Sequence, residues 1–180
     1  MSDDIIPDDR DWTWVLNRRC PDCGFDASAA RGNEVATLMR ANAAGWMALG
    51  QTGAIKAGRD RRQRWSSLEY AAHVRDVYRL ADERLGLLIH EENPLFANWD
   101  QDRTAIEDGY DTQDPAVVLA ELTAAVDTVA ARLDSITANQ WERAGRRSDG
   151  SGFTINSLAR YIVHDPIHHL WDLTGARHQP

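Results

Sequence analysis

The residues most suited to chemistry are two histidines near the C-terminus, in the segment 161–169 (YIVHDPIHH). His164 and His168 are four residues apart, so on a helix both imidazoles emerge on one face and can approach a single cation. Tyr161 and Trp171 share that face, which predicts that it lies inside a helical bundle. A catalytic metal site usually takes three protein ligands and a water molecule. The pair therefore predicts a third ligand elsewhere in the chain.

The predicted third ligand is His73. Tyr70, Val77 and Leu80 lie at offsets of −3, +4 and +7 from it, which places all four side chains on one face of a helix. Because that face is otherwise apolar, His73 is expected to point into the bundle, toward the histidine pair. The alternative is three separate core histidines, each satisfied by a hydrogen bond. A shared metal is the favoured interpretation, and three imidazoles suit zinc, nickel, iron or copper alike.

Two carboxylates lie close to these histidines in sequence. Asp76 and Asp165 are predicted to accept a hydrogen bond from an imidazole N–H and so to orient a ligand. The alternative is that both are ordinary solvent-facing helix residues. Pro166 lies between the members of the histidine pair and removes one helix hydrogen bond. A bend there could set the angle between the two imidazoles, or could be a break tolerated for packing.

The two cysteines of the chain lie together in the segment 20–24 (CPDCG). This segment resembles one half of a zinc ribbon, but the sequence has no second cysteine pair. Three interpretations of Cys20 and Cys23 stay open: a structural dithiol turn, a redox-active or metal-bridging pair, or a site completed by histidine or by another chain. If the N-terminal arm folds over the mouth of the bundle, these thiols would lie near the substrate.

Four helical segments are predicted to position these side chains. The first spans 32–49, and the second begins after Ser66, which forms a capping-box pattern with Glu69. The third begins after Asp114 as N-cap, and the fourth spans 154–175 and ends at a glycine. Together they predict an all-α protein: an antiparallel four-helix bundle with long crossover loops and an irregular N-terminal arm.

Two connections are longer than a simple bundle requires, at 50–64 and 91–113. Loops of this length within a compact domain are commonly functional. Trp99, from the second of them, and Tyr161 are predicted to line a substrate pocket together with arginines of the loops. The arginine-rich run 59–64 is interpreted as a solvated segment before a helix, with a clamp for an anionic substrate as the alternative.

The composition is that of an ordinary globular protein of 180 residues with a net charge of −8. Its scattered basic residues predict no nucleic-acid partner, and no stretch is apolar enough to cross a bilayer. The acidic N-terminus lacks a signal-peptide pattern, so the expected location is cytoplasmic and no membrane partner is expected. A small-molecule substrate is expected, and a homodimer is left open.

An inward histidine on the second helix and a His-x-x-x-His on the fourth resemble the DinB-like (YfiT-like) superfamily. The segments that carry the resemblance are 68–73 (LEYAAH) and 164–168 (HDPIH), and the likeness covers about residues 32–175. It implies a DinB-like metal-binding bundle over residues 32–180, and the N-terminal arm over 1–31 with its cysteine knuckle departs from the family pattern. It also implies an up-down-down-up topology, with zinc or nickel held by His73, His164 and His168.

The resemblance also implies a chemistry. Relatives include thiol-dependent S-transferases and mycothiol-dependent maleylpyruvate isomerases, in which a metal-bound thiol becomes a thiolate that attacks an electrophile. The arginine- and alanine-rich composition favours mycothiol, among low-molecular-weight thiols, as the cosubstrate. The expected function is therefore a metal-dependent thiol S-transferase. A non-catalytic metal-binding module, acting in stress response or ligand binding, is the alternative.

Overall fold

The computed structural model describes residues 10–60 and 63–179. Four long helices form the body of the protein: α1 (Val35–Gln51), α2 (Ser67–His90), α4 (Pro115–Asp134) and α5 (Ile155–Thr174). A shorter helix, α3 (Gln101–Glu107), lies in the connection between α2 and α4. The predicted all-α four-helix bundle is confirmed. No helix in the described ranges combines the length and apolarity needed to span a membrane.

The helix boundaries follow the capping residues. Ser66 accepts a hydrogen bond from the Glu69 backbone N–H at 3.2 Å, and the Glu69 carboxylate accepts one from the Ser66 N–H at 2.7 Å. Asp114 caps α4 and Thr154 caps α5 in the same way, by accepting backbone N–H groups of the first turn. Gly175 ends α5 with a φ of 68°, a left-handed conformation that glycine adopts without steric cost. The predicted starts of α2 and α4 are confirmed.

The core lies between the four long helices. Both α1 and α2 pack against α4 and α5, so each helix contributes one apolar face to a shared interior. The largest fully buried side chains come from all four of them and include Trp46, Tyr78, Leu122 and Leu158. α5 continues through Pro166, whose carbonyl accepts a hydrogen bond from the Asn42 side chain at 2.9 Å.

A three-stranded sheet closes one end of the bundle, where the sequence predicted no strand. Strand β1 (Leu95–Phe96) pairs in parallel with β2 (Ala144–Arg147), which pairs antiparallel with β3 (Gly152–Thr154). Strands of two to four residues are too short to show a period-two pattern, which explains why the sequence did not reveal them. The sheet brings Arg147 to the side of the bundle on which α5 begins.

The N-terminal arm packs into the same core as the helices. Val15, Cys20, Cys23 and Phe25 are all buried, at 3% exposure or less. The knuckle is held by backbone hydrogen bonds from Gly24 N–H to the Cys20 carbonyl at 3.1 Å and from Cys20 N–H to the Phe25 carbonyl at 2.9 Å. The division into an arm (1–31) and a bundle (32–180) stays a prediction, since the buried residues of the arm pack in the same core as those of the bundle.

Candidate metal centres

Helix α5 presents two adjacent rows of ligand-type side chains. His164 and His168 form one row, and Asp165 and His169 form the other, each at a spacing of four residues. Because successive residues of an α-helix are about 100° apart around its axis, the two rows face different neighbours. The first row faces the cysteines of the arm, and the second faces His73 on α2. Two groups among the described residues could therefore hold a metal ion.

The first group, termed here the α2–α5 centre, consists of His73, Asp165 and His169. Oδ1 of Asp165 lies 3.1 Å from Nε2 of His73 and 3.3 Å from Nε2 of His169. A tetrahedral ion with N and O ligands at about 2.0 Å places those ligand atoms about 3.3 Å apart. The separations therefore fit a shared divalent cation without rearrangement of the helices.

The electrostatics of the α2–α5 centre also suit a cation. His73 is fully buried, and its Nδ1 has no hydrogen-bond partner within residues 10–60 and 63–179. Burial lowers the pKa of His73, which favours the neutral imidazole despite the attraction of Asp165. Burial by itself would raise the pKa of Asp165, but attraction to His169 and His73 holds it below the usual range. Neutral imidazole and ionised carboxylate are the forms that bind metals.

Neighbouring side chains fix the orientation of these ligands. Nδ1 of His169 lies 3.0 Å from Oδ2 of Asp172, and Asp172 accepts a hydrogen bond from Arg64 at 2.6 Å. Trp99 stacks on His73, with ring centroids 5.2 Å apart and an angle of 6° between the planes. A carboxylate behind a ligand imidazole sets its tautomer and its direction. Asp172 has this position behind His169.

A cavity of about 810 Å³ opens over the α2–α5 centre. Asp165 and His169 form part of its wall, and Asp165 retains 37% side-chain exposure, while His73 lies beneath them. Trp99 and Tyr161, both predicted to line a substrate pocket, also line this cavity. Several cations line it too, among them Arg64, Arg84 and Arg147. Arg64 and Arg147 are paired with Asp172 and Asp149, which also line the cavity, so its wall carries charges of both signs.

The second group, termed here the arm centre, consists of Cys20, Cys23, His164 and His168, all buried, with ligand atoms within 4.8 Å of one another. Sγ of Cys20 lies 3.6 Å from Nδ1 of His168. Nε2 of His164 is buried with no hydrogen-bond partner in the described part of the chain. Burial raises the pKa of Cys23 to about 12 and lowers the pKa of His164 to about 4.

Comparison with known proteins identifies the family. The model of the DinB superfamily matches residues 8–173. The chain belongs to the DinB superfamily. A search of curated proteins finds no match.

A solved structure supports the fold assignment. YfiT from Bacillus subtilis, described as "a probable metal-dependent hydrolase with an unusual four-helix bundle topology", aligns with a TM-score of 0.69 at 20% sequence identity. The alignment covers 80% of this chain and 86% of YfiT. At this identity the likeness establishes the DinB-like bundle. The resemblance stated from the sequence is confirmed at the level of the superfamily.

The three histidines predicted as one ligand set are divided between the two centres. His73 lies in the α2–α5 centre, whereas His164 and His168 lie with the cysteines. The physical reason is the rotation of α5 about its axis, which turns the row containing His169 toward α2. The sequence contained a signal for this row, since Asp165 and His169 are also four residues apart.

The two carboxylates predicted to orient a ligand have different surroundings. Asp165 contacts His73 and belongs to the α2–α5 centre itself. Asp76 instead accepts hydrogen bonds from Arg75 and Arg79, and from the Tyr110 hydroxyl at 2.6 Å. Its oxygens therefore serve a buried ion-pair network rather than a ligand imidazole. Among the open interpretations of the cysteine pair, the geometry favours the site completed by histidine.

Proposed function

We propose that this DinB-superfamily protein is a metal-dependent enzyme that joins a low-molecular-weight thiol, through its sulfur atom, to a small anionic electrophile. The observation that carries the proposal is the opening of the α2–α5 centre onto the 810 Å³ cavity. Three protein ligands beside an open cavity are typical of catalytic metal sites, whereas structural sites are closed by four protein ligands. This arrangement favours catalysis over the alternative of a non-catalytic metal-binding module.

The chemistry would come from the ligand set and its neighbours. His73, Asp165 and His169 would hold a divalent cation such as zinc or nickel, which would supply the acidity needed to deprotonate a thiol near neutral pH. A proton held on Nδ1 of His169 by Asp172 would make Nε2 the ligand atom. In the reaction a sulfur–carbon bond forms, the leaving group departs with its bonding electrons, and the thiol proton passes to solvent.

The cavity wall supports an anionic electrophile. Arg84 is 5% exposed, and its Nε has no hydrogen-bond partner in the described residues. One terminal nitrogen donates to the Ala97 carbonyl at 2.8 Å, and the guanidinium lies over Phe96. Burial lowers the pKa of Arg84 to about 10, so the side chain stays charged at neutral pH. A buried guanidinium with an unpaired N–H beside a cavity is suited to a carboxylate or phosphate.

The size of the cavity supports a reaction between two substrates. Small-molecule sites occupy about 300 to 1,000 Å³, and this cavity lies toward the upper end of that range at about 810 Å³. It can therefore hold a thiol and an electrophile together. Mycothiol is the thiol that the family resemblance and the arginine-rich composition favour, with bacillithiol and glutathione as the comparison compounds.

The test measures product formation by zinc-loaded and nickel-loaded protein with each thiol and an anionic chloroaromatic or epoxide probe. We expect a thiol-dependent S-conjugate that disappears in the His169→Ala variant. The matched control is His90→Ala, which alters an exposed histidine at the end of α2. Absence of a conjugate with every thiol and both metals would refute S-transfer.

Hydrolysis is the second candidate, because the same open three-ligand geometry could activate water and because YfiT is described as a probable metal-dependent hydrolase. The same assay separates the two reactions. Metal-dependent cleavage of an ester, amide or phosphate probe without added thiol would favour hydrolysis. Loss of that cleavage in His169→Ala would assign it to the α2–α5 centre.

A further inference from the structure

We infer that the arm centre is a second, structural metal site, in which Cys20, Cys23, His164 and His168 hold one zinc ion and tie the N-terminal arm to α5. Two thiolates and two imidazoles form a ligand set typical of structural zinc. This site shares no ligand with the α2–α5 centre and does not depend on the reaction proposed for that centre. The two centres use neighbouring rows of one helix.

The distances fit tetrahedral zinc. With zinc–sulfur bonds of about 2.3 Å and zinc–nitrogen bonds of about 2.0 Å, a tetrahedral angle separates sulfur from nitrogen by about 3.5 Å. The structure places Sγ of Cys20 3.6 Å from Nδ1 of His168. His164 contributes a buried Nε2 that lacks a hydrogen-bond partner in the described residues. A buried polar atom without a partner is costly, and a coordinate bond would satisfy it.

The arm centre is more deeply buried than the α2–α5 centre, although its two histidines also line the cavity. Both cysteines are 0% exposed, and His164 and His168 are 4% and 9% exposed. The Trp12 ring covers both imidazoles, with centroids 5.4 Å from His164 and 5.2 Å from His168. Four protein ligands also complete a tetrahedral ion and leave no position for substrate. The arrangement therefore indicates a structural role.

The backbone around the cysteines is shaped for a metal knuckle. Gly24 has a φ of 81°, a conformation that side-chain-bearing residues rarely adopt, and it allows the chain to turn directly after Cys23. The C-terminal tail fastens the turn, because the His178 N–H donates to the Cys23 carbonyl at 2.7 Å. Three distant parts of the chain, namely the arm, α5 and the tail, thus meet at this site.

Binding of zinc by these four residues involves no oxidation or reduction. The two thiols bind as thiolates, and their protons pass to solvent as the zinc–sulfur bonds form. The neutral imidazoles donate lone pairs, and no electron is transferred. Oxidation of Cys20 and Cys23 to a disulfide would instead require an oxidant and would remove both sulfur ligands. Spectroscopy of the bound metal distinguishes these two states.

The experiment uses the full-length protein, purified under reducing conditions, stripped of metal and titrated with Co²⁺. Cobalt bound by thiolates shows a sulfur-to-metal charge-transfer band in the near ultraviolet, and tetrahedral cobalt absorbs strongly in the visible range. We expect the charge-transfer band to reach its maximum when one Co²⁺ ion per chain is bound by sulfur. Addition of Zn²⁺ should displace this ion and abolish the band. Elemental analysis of zinc-loaded protein should give two zinc ions per chain, one for each centre.

Variants assign the band to its ligands. Cys20→Ser should remove most of the charge-transfer intensity and one zinc ion, whereas His169→Ala should remove one zinc ion and leave the band intact. His90→Ala should change neither. Because Cys20→Ser could impair folding, the wild-type spectrum is the decisive measurement. Wild-type protein without a thiolate band, or with two reactive thiols after zinc loading, would overturn the inference.

These outcomes are independent of the proposed catalysis. A wild-type protein with the thiolate band but no S-transfer or hydrolytic activity would support the arm centre and refute only the proposed function. An active protein without the band would support the proposed function and refute the arm centre.

Discussion

The Asp172→Asn substitution tests how ligands of the α2–α5 centre are oriented. Oδ2 of Asp172 lies 3.0 Å from Nδ1 of His169, and its Oδ1 accepts a hydrogen bond from Arg64 at 2.6 Å. Asparagine preserves the shape but removes the charge. It can also present an N–H donor to Nδ1, which would favour the tautomer that carries its proton on the ligand nitrogen Nε2. We therefore expect weaker metal binding at the α2–α5 centre.

The expected loss is about 10- to 100-fold in metal affinity, the usual effect of removing a group that orients a metal ligand. This corresponds to about 1.4 to 2.7 kcal/mol of binding free energy. Asp172 is 16% exposed, so solvent screens its interaction with His169 only in part. The burial supports an effect within this range rather than the smaller effect of a surface charge.

Competition with a chromophoric chelator measures the affinity of the α2–α5 centre, using Co²⁺ or Zn²⁺. The matched control is Asp134→Asn, which removes a carboxylate that is 53% exposed and paired with Arg40 at the protein surface. That control should leave metal affinity unchanged. An unchanged affinity in Asp172→Asn, with its fold intact by circular dichroism, would refute the role assigned to Asp172.

Three further predictions concern stability and ligand binding. Asp76→Asn should lower the free energy of unfolding by about 2 to 3 kcal/mol in urea titrations, because it removes a buried partner of Tyr110 and of a guanidinium. Burial opposes ionisation of Asp76, but its hydrogen bonds hold its pKa below the usual value, so its stabilisation is complete above about pH 4 and is lost as the pH falls. The variant should therefore lose less stability than wild type on acidification, and an equal loss would contradict this. Gly145→Ala should cost about 1 to 3 kcal/mol, since a Cβ there would lie 2.6 Å from Leu88, whereas Gly152→Ala, with open space around it, serves as control. Arg84→Gln should raise KM at least about tenfold for an anionic substrate but not for a neutral analogue, and equal effects on both would exclude charge recognition.

Local signals were sufficient to predict the four long helices, but the short helix α3 falls within the predicted loop 91–113. Ser66, Asp114 and Gly175 mark ends of α2, α4 and α5 through capping chemistry that depends only on neighbouring residues. The sheet was missed because its strands are only two to four residues long and because β1 pairs with β2 across about 50 positions, as Leu95 does with Arg146. Trp99 and Tyr161 both line the cavity, and their contact with a substrate stays a prediction.

The grouping of ligands could not be predicted from spacing alone. His164 with His168 and Asp165 with His169 have the same separation, so the pattern fits either row equally well. The choice between them depends on how α5 is rotated against α2, which is set by packing of the whole bundle. The approach of Cys20 to His168 spans 148 residues and depends on the path of the arm. Neither property is encoded within a short window of sequence.

The position of Asp172 couples the two candidate centres. Its Oδ2 lies 3.0 Å from Nδ1 of His169 and 3.9 Å from Nε2 of His168, so one carboxylate lies behind a ligand of each centre. A cation at either centre would raise the acidity of the imidazole N–H that faces Asp172 and strengthen its contact there. Because one oxygen cannot optimise both contacts, loading one centre should alter affinity at the other. By linkage, the effect must be equal in both directions. When the cobalt-loaded protein is titrated with zinc, displacement of cobalt at one centre should therefore change the zinc affinity of the other centre. In the Asp172→Asn variant, the two centres should exchange their metals independently.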